Sequence, residues 1–160
     1  MRLAIAAIGK LKSGPEKQLA DDYAARIVAM GKKAGITTFK INDWAESQKP
    51  DLKLRQAEEE AELWGAVSQG AYVIALDERG TAWRSEDFAQ KLRTLMDRGQ
   101  NDIVFLIGGP DGHSPATRSK AQELLAFGPM TWPHRLARLM MLEQIYRSVT
   151  IMLNHPYHRA

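Results

Sequence analysis

The residues with the clearest chemical potential lie in a glycine-rich segment directly after an apolar run. Residues 103–107 are uniformly apolar, and Gly108-Gly109-Pro110-Asp111-Gly112 follows them. This pattern predicts a buried strand that ends in a glycine turn, and ligands of open α/β sheets bind at that carboxyl edge. Glycine has no Cβ, so a planar ligand could approach the main chain closely. A plain strand-to-helix turn would have the same pattern, so the glycines alone leave both interpretations open.

A second candidate is the basic C-terminal region. From Pro133 onward the charged residues are four arginines and a single glutamate, accompanied by three histidines: Arg135, Arg138, Arg147, Arg159, Glu143, His134, His155 and His158. Such a region could face phosphates, although ordinary surface arginines would give the same composition. The net charge of the whole chain is +3, which is only a weak indication of nucleic-acid binding. Acidic residues gather instead at positions 58, 59, 60 and 62, which we interpret as a solvated helix face.

The elements that must position these residues alternate between strand and helix patterns. Strands are predicted at residues 2–8, 36–41, 71–76 and 102–107, and helices at residues 15–31 or 15–35, 50–65, 85–98, 115–126 and from 133 onward. Residues 42–48 are predicted to be a polar loop and residues 77–80 a turn. This alternation predicts an α/β fold, a single domain over residues 1–160 with a largely parallel sheet flanked by helices.

Composition limits the class of protein. Apolar residues make up 44% of the chain, which is enough for a core, so disorder is not expected. The absence of cysteine excludes disulfides, thiolate metal sites and a cysteine nucleophile, and it fits a reducing cytoplasm. The N-terminal apolar run is too short for a signal peptide, and no run approaches the roughly 20 residues of a membrane span. We therefore expect a cytoplasmic protein with no membrane partner.

The standard nucleotide and hydrolase motifs are missing. There is no G-x-G-x-x-G after the first strand, no P-loop and no G-x-S-x-G, and His155 and His158 have no adjacent carboxylate, so no metal site is expected. Three segments remain, at residues 77–80, 108–114 and 127–132, and in a parallel sheet they would emerge at the same edge. Together they would form an apolar cleft with free main-chain groups, which suits an adenine ring. Alternatively, Phe127, Met130 and Trp132 are only core residues.

Five motifs in the order found here closely resemble one family. They are LDERG at residues 76–80, FLIGGPDG at 105–112, MTWPH at 130–134, EQIYR at 143–147 and NHPYHR at 154–159. Together they resemble the large-subunit ribosomal RNA methyltransferase H family, of the SPOUT class of trefoil-knotted methyltransferases, and the resemblance covers essentially the whole chain. Phe127-Gly128-Pro129 departs from the Leu-Ser-x form expected in many members, which a site formed by main-chain groups would tolerate.

The resemblance implies a function and a set of cofactor-binding residues. It implies S-adenosyl-L-methionine as methyl donor without a metal, and N3-methylated pseudouridine in 23S ribosomal RNA as product. It also implies a homodimer and a C-terminal trefoil knot that holds the cofactor. By the same resemblance, the cofactor-binding residues are Leu76, Gly108, Phe127, Gly128, Pro129, Met130, Thr131 and Trp132.

The chemistry of this reaction suggests which residues would serve the acceptor. The N3–H of a uracil-type ring is weakly acidic, so a nearby cation would favour its anionic form. Arg147, Arg159, His155 and His158 are the available candidates, and Tyr157 could stack or hydrogen-bond. We therefore hypothesise that Tyr157, His158 and Arg159 line the acceptor site, with Arg147 as a further catalytic candidate. A non-catalytic RNA-binding or ribosome-docking module would also explain a basic tail.

The predicted last helix has apolar residues on more than one face. Leu139, Met140, Met141, Leu142 and Ile145 could contribute to a dimer interface or could all be core. A two-fold dimer would let the tail of one subunit complete the cleft of the other. Because the net charge is too small to hold naked RNA tightly at physiological salt, we expect the assembled ribosome to be the partner.

Overall fold

Strands and helices alternate along the whole chain. The structure is a computed structural model and describes residues 1–158. Its strands are β1 (Arg2–Ile8), β2 (Thr38–Trp44), β3 (Tyr72–Ala82), β4 (Asp102–Ile107) and β5 (Glu123–Ala126). Its helices are α1 (Pro15–Gly31), α2 (Leu52–Gly65), α3 (Ser85–Asp97), α4 (Pro115–Lys120) and α5 (His134–Met152), with a 3₁₀ turn at Lys32–Ala34 after α1.

The strands form one parallel sheet in the order β2-β1-β4-β3-β5. Ile5 of β1 lies opposite Ile41 of β2 and Phe105 of β4. Beyond β4, Leu76 of β3 lies opposite Ile107 of β4 and Leu125 of β5. The predicted α/β class with a largely parallel sheet flanked by helices is confirmed.

Both faces of the sheet are buried, which explains the continuous apolar strand sequences. Alternate residues such as Leu3, Ile5 and Phe105 pack against α1, α3 and α5 on one face. The intervening residues, including Ala6 and Leu106, pack against α2 on the other. Since both faces are covered by helices, the carboxyl edge of the sheet is left for a ligand.

The short strand β5 was not predicted. The helix expected to run to residue 126 ends at Lys120, and the main chain adopts an extended conformation at Ala121. Gln122 then bonds to Val73: its side-chain oxygen Oε1 accepts from the Val73 N–H at 2.7 Å, and its main-chain N–H donates to the Val73 carbonyl at 3.0 Å. This pairing between distant parts of the chain overrides local helix propensity.

The turn predicted at residues 77–80 is also wrong. β3 continues through it to Ala82, and its pairing with β5 shifts register between Leu76 and Thr81. The irregularity accommodates the extra residues within the strand. At the other edge, β2 extends to Trp44 because it pairs with β1 along the full length of β1, so part of the predicted polar loop is strand. Helix α2 begins at Leu52 because Asp51 caps it, accepting from the N–H groups of Lys53 and Leu54.

Gly80 allows β3 and β5 to approach closely, and this leads to a stability prediction. A Cβ added at Gly80 would lie 2.5 Å from the main-chain carbon of Leu124. Because main chain cannot move aside cheaply, Gly80→Ala should lower the free energy of unfolding by about 1–3 kcal/mol. Gly65→Ala is the matched control, since a Cβ there would meet nothing within 4 Å. Urea denaturation measures both, and equal midpoints for Gly80→Ala and wild type would contradict the assignment.

Candidate functional site

A cleft of about 450 Å³ lies at the carboxyl edge of β3, β4 and β5. Its floor includes Leu76, Ile107 and Leu125, which lie side by side on the three strands. Its walls include five segments of the chain: residues 77–79, residues 108–113, residues 126–132, the first residues of α4 and the first residues of α5. The three segments expected at one edge therefore do meet there.

The predicted cofactor-binding residues lie around this cleft. All of them except Pro129 border it. Met130 and Trp132 are 72% and 42% exposed, so neither is a core residue, whereas Phe127 is half-buried and packs against the core. The cleft therefore has exposed apolar side chains on one wall and the glycine loop on another.

The glycine loop, residues 108–112, is compact because three of its five residues are glycines, which have no side chain. A Cβ at Gly108 would lie 3.1 Å from the carbonyl carbon of Gly112, and one at Gly109 would lie 2.9 Å from the side chain of Ile8. Gly112 itself has φ +67°, a left-handed conformation that favours glycine. At Gly108 the atoms that exclude a side chain thus belong to the loop itself.

Helix α2 holds the glycine loop from outside. Arg55 donates from Nε and Nη2 to the two carboxylate oxygens of Asp111, at 2.6 and 3.3 Å. Gln56 donates to the carbonyl of Asp111 at 3.1 Å, and Glu60 accepts from the N–H of Ser114 at 2.7 Å. The Arg55 guanidinium holds the pKa of the Asp111 carboxyl below its usual range. Side chains from one helix therefore hold the C-terminal end of the loop and the start of the segment that follows it.

We call these contacts of α2 with residues 111 and 114 the clamp. They show that α2 is not simply the solvated acidic face expected from the sequence. Glu58 and Glu62 are exposed as expected, but Glu59 is only 4% exposed. Glu59 accepts from the N–H of Ser47 at 2.9 Å, and a Cβ on Gly109 would come within 3.2 Å of its carboxylate. Burial raises the pKa of Glu59, and the hydrogen bond from Ser47 opposes that shift. Local charge spacing gave no indication of these long-range contacts.

A buried arginine anchors the start of α5 behind the cleft. Arg138 is 1% exposed and donates from Nη1 to Asp43 at 2.9 Å and from Nη2 to the carbonyls of Ile8 and Gly9. Burial lowers the pKa of Arg138, while the bond to Asp43 opposes that change. Composition alone places Arg138 among the arginines that could face phosphates, but its burial shows that it cannot do so.

The predicted catalytic residues of the tail form a connected network beside α5. Arg147 donates from Nε and Nη2 to Glu143 at 2.9 and 2.6 Å, and Tyr157 Oη donates to the same oxygen at 3.1 Å. His158 has Nδ1 3.5 Å from Arg147 Nη1 and Nε2 3.1 Å from Glu86. The Arg147 guanidinium carbon lies 5.0 Å from the Tyr157 ring centroid. Arg159 lies outside the described residues.

The tail network and the cleft occupy different places within one chain. Arg147, Tyr157 and His158 do not border the cleft. Glu143 instead lines a second cavity of about 320 Å³, whose other walls include Trp83, Phe88 and Met140. Residues 125–128 border both cavities. We call residues 125–128 the shared wall. It lies between the cleft, where the predicted cofactor-binding residues lie, and the cavity lined by Glu143 of the tail network.

Residues 1–158 contain no side-chain cluster that could hold a metal ion and no helix that could span a membrane. No three His, Cys, Asp or Glu side chains in this range lie close enough together to hold a metal ion. None of the helices described above is both long and apolar enough to cross a membrane.

Solved structures share this fold. A probable methylase family protein from Haemophilus influenzae Rd KW20 matches with a TM-score of 0.52 at 16% identity, over 99% of this chain and 70% of that protein. A probable methyltransferase from Bordetella pertussis Tohama I matches with a TM-score of 0.51 at 14% identity, over 92% of this chain and 93% of that one. At such low identity these matches establish the architecture alone.

Sequence comparison defines the family. A family profile described as "Predicted SPOUT methyltransferase" matches residues 1–158. Proteins called "Ribosomal RNA large subunit methyltransferase H" from Rhodopseudomonas palustris (strain BisA53), Bradyrhizobium diazoefficiens and Rhizobium meliloti (strain 1021) are 47%, 45% and 44% identical over the full length of both chains. The chain therefore belongs to the SPOUT methyltransferases and, within them, to the ribosomal RNA large subunit methyltransferase H family. The predicted family and the predicted enzyme class, a methyltransferase, are confirmed.

The clamp on the glycine loop leads to a prediction about loop mobility. Arg55→Met removes both bonds to the Asp111 carboxylate, so amide hydrogen exchange in residues 108–114 should become about 10-fold faster as the loop opens locally more often. Lys53→Met is the matched control, because it removes the same charge from an exposed position on the same helix. Mass-spectrometric exchange measures both variants. Wild-type exchange rates in Arg55→Met would show that the clamp does not restrain the loop.

Proposed function

We propose that this enzyme transfers a methyl group from S-adenosyl-L-methionine to N3 of a pseudouridine in 23S ribosomal RNA, acting on the assembled ribosome in the cytoplasm as a single domain. The observation that carries the proposal is the full-length identity of 44–47% to relatives called ribosomal RNA large subunit methyltransferase H. The alternative, a non-catalytic docking module, is not favoured, because these relatives are called methyltransferases.

The cleft fits the proposed cofactor in size and in chemistry. A volume of about 450 Å³ is in the range of small-molecule sites. Exposed Met130 and Trp132 offer apolar surface to a planar base, and Gly108, Gly112 and residues 127–132 bring main-chain groups to the same space. When bound, S-adenosyl-L-methionine supplies an electrophilic methyl group on a sulfonium. The protein's contribution is to hold the two reactants in line and to keep water out.

The tail network suits a role in positioning the acceptor base. Burial raises the pKa of the Tyr157 phenol, so Tyr157 stays neutral and does not remove a proton; since its O–H donates to Glu143, its contribution to the base would be stacking. Arg147 is paired with Glu143, which raises the pKa of its guanidinium and offsets its charge. We infer that this pair holds Tyr157 in place. His155, His158 and Arg159 are then the residues left to favour the anionic form of the ring.

We further propose a homodimer in which each active site uses two subunits. The shared wall separates the tail network from the cleft within one chain, so a tail from a partner subunit would have to approach the cleft from its open side. Trp132 and Met130 line the cleft, are exposed and supply apolar surface for such a contact. Family membership also supports a C-terminal trefoil knot around the cofactor site.

The ribosome proposal predicts a rank order of substrates. With labelled S-adenosyl-L-methionine, whole ribosomes should be methylated fastest, isolated large subunits more slowly and free 23S RNA slowest, because a net charge of +3 gives weak phosphate-driven affinity. The label should be found at N3 of pseudouridine. Ribosomes with uridine in place of pseudouridine are the matched control. Equal rates on all three substrates would overturn the ribosome requirement, and no label in the RNA would overturn the function.

The shared-site proposal predicts complementation between two inactive variants. A chain lacking residues 157–160 should bind cofactor but not methylate, and Thr131→Trp should fill the cleft of a subunit that keeps its tail. If sites are shared, random mixing makes about half of the dimers heterodimers, and each heterodimer has one intact site out of two. The activity of the mixture should therefore recover to roughly a quarter of wild type. If each subunit uses its own tail, the mixture stays inactive. Sedimentation as a monomer at the assay concentration would likewise contradict a shared site.

A further inference from the structure

Within residues 1–158, four basic side chains border the cleft: Arg79, His113, Arg118 and His134. Burial lowers the pKa of both histidines, so their imidazoles are neutral at neutral pH. The side chain of Arg79 is 60% exposed and lies 3.4 Å from Asp77 and 3.7 Å from Glu78, so its charge is offset by these carboxylates and screened by water. Arg118 is therefore the cation best placed to meet a charged group inside the cleft.

The Arg118 guanidinium lies at the cleft with most of its hydrogen-bonding capacity unused. Its side chain is 22% exposed, so a ligand in the cleft can reach it. Nη1 donates to the main-chain carbonyl of His113, and among residues 1–158 this is the one hydrogen bond made by a group with five N–H donors. Oδ2 of Asp77 lies 3.9 Å from Nη1, which is close enough for charge attraction but too far for a hydrogen bond. The guanidinium can therefore donate to a ligand.

The charges around Arg118 indicate which kind of ligand group fits. A guanidinium binds a carboxylate or a phosphate through two parallel N–H bonds. However, the neighbouring carboxylate of Asp77 would repel an isolated anion such as an RNA phosphate. An α-amino acid carries its ammonium on the same carbon as its carboxylate, so it brings a positive charge close to Asp77 while its carboxylate meets Arg118. The pair of side chains is therefore complementary to an amino-acid zwitterion.

We propose that Arg118 binds the α-carboxylate of the methionine part of S-adenosyl-L-methionine and thereby positions that end of the cofactor in the cleft. The inference rests on the proposed function, since it takes this cofactor as the ligand. The carboxylate is the anionic group of the cofactor, because the adenine and ribose are neutral and the sulfonium and ammonium are positive. A guanidinium has no acceptor and would repel the two cationic groups. The carboxylate is therefore the group that Arg118 can hold through charge-assisted bonds.

A cycle of one substitution and one ligand change tests this contact. S-adenosyl-L-homocysteine is compared with its carboxamide, in which an uncharged amide of nearly the same size replaces the carboxylate. Titration calorimetry should show that wild type binds the carboxamide about 10-fold more weakly than the parent, and that Arg118→Gln weakens binding of the parent by about the same factor. Arg118→Gln should bind both ligands with nearly equal affinity, because the contact is already lost.

Two further variants separate a direct contact from a general effect of charge. Arg118→Lys keeps the charge but loses the planar fork, so it should recover part of the affinity for S-adenosyl-L-homocysteine. Lys120→Gln is the matched control, since it removes the same charge two residues further along α4 from an exposed side chain that does not border the cleft. Its affinity for both ligands should equal that of wild type. An equal loss in Lys120→Gln would overturn the contact.

Other outcomes would also contradict the proposal while leaving the cofactor assignment intact. Equal affinity of wild type for the two ligands would do so without any variant. If Arg118→Gln weakens both ligands by the same factor, the arginine acts through its bond to the His113 carbonyl instead of through the carboxylate. If it changes neither affinity but slows methylation of ribosomes, Arg118 serves the RNA. Failure of wild type to bind S-adenosyl-L-homocysteine at all would instead overturn the proposed function and the inference with it.

Discussion

The parallel pairing of β3 with β4 and β5 is the constraint on which the rest of the structure depends. It places Leu76, Ile107 and Leu125 side by side, so the irregular part of β3 and the segments that follow β4 and β5 border the same space. With both sheet faces covered by helices, the cleft can open only at this edge. The clamp from α2 and the buried Arg138 then fix the loops that the sheet has brought together.

Much of this arrangement could be predicted from local sequence signals. The apolar run before Gly108 marked β4 and the cleft edge, and the five spaced motifs indicated the family. The short β5 could not be predicted, because four residues carry little periodicity and their strand character comes from pairing with β3, about fifty residues away. The same holds for Glu59 and Arg138, whose roles depend on burial and on partners that their neighbours in sequence do not reveal.

The charge distribution illustrates how composition alone misleads. The four arginines of the C-terminal region indicated a phosphate-facing surface, but Arg138 is buried against Asp43 and Arg147 is paired with Glu143. Arg135 is exposed, as a docking residue would need to be. With two of these charges matched inside the molecule, the electrostatic attraction available to RNA is smaller than the sequence suggested. Shape and the surroundings of the target then have more weight in recognition.

The shared wall, residues 125–128, has a thermodynamic consequence. The cleft lies on one side of it and the cavity beside Glu143 on the other. A ligand that displaced the wall from one side would change the volume available on the other, and the affinities of the two cavities would then be coupled. Such a coupling is reciprocal: the factor by which one occupant changes the affinity for the second equals the factor by which the second changes the affinity for the first, whichever binds first.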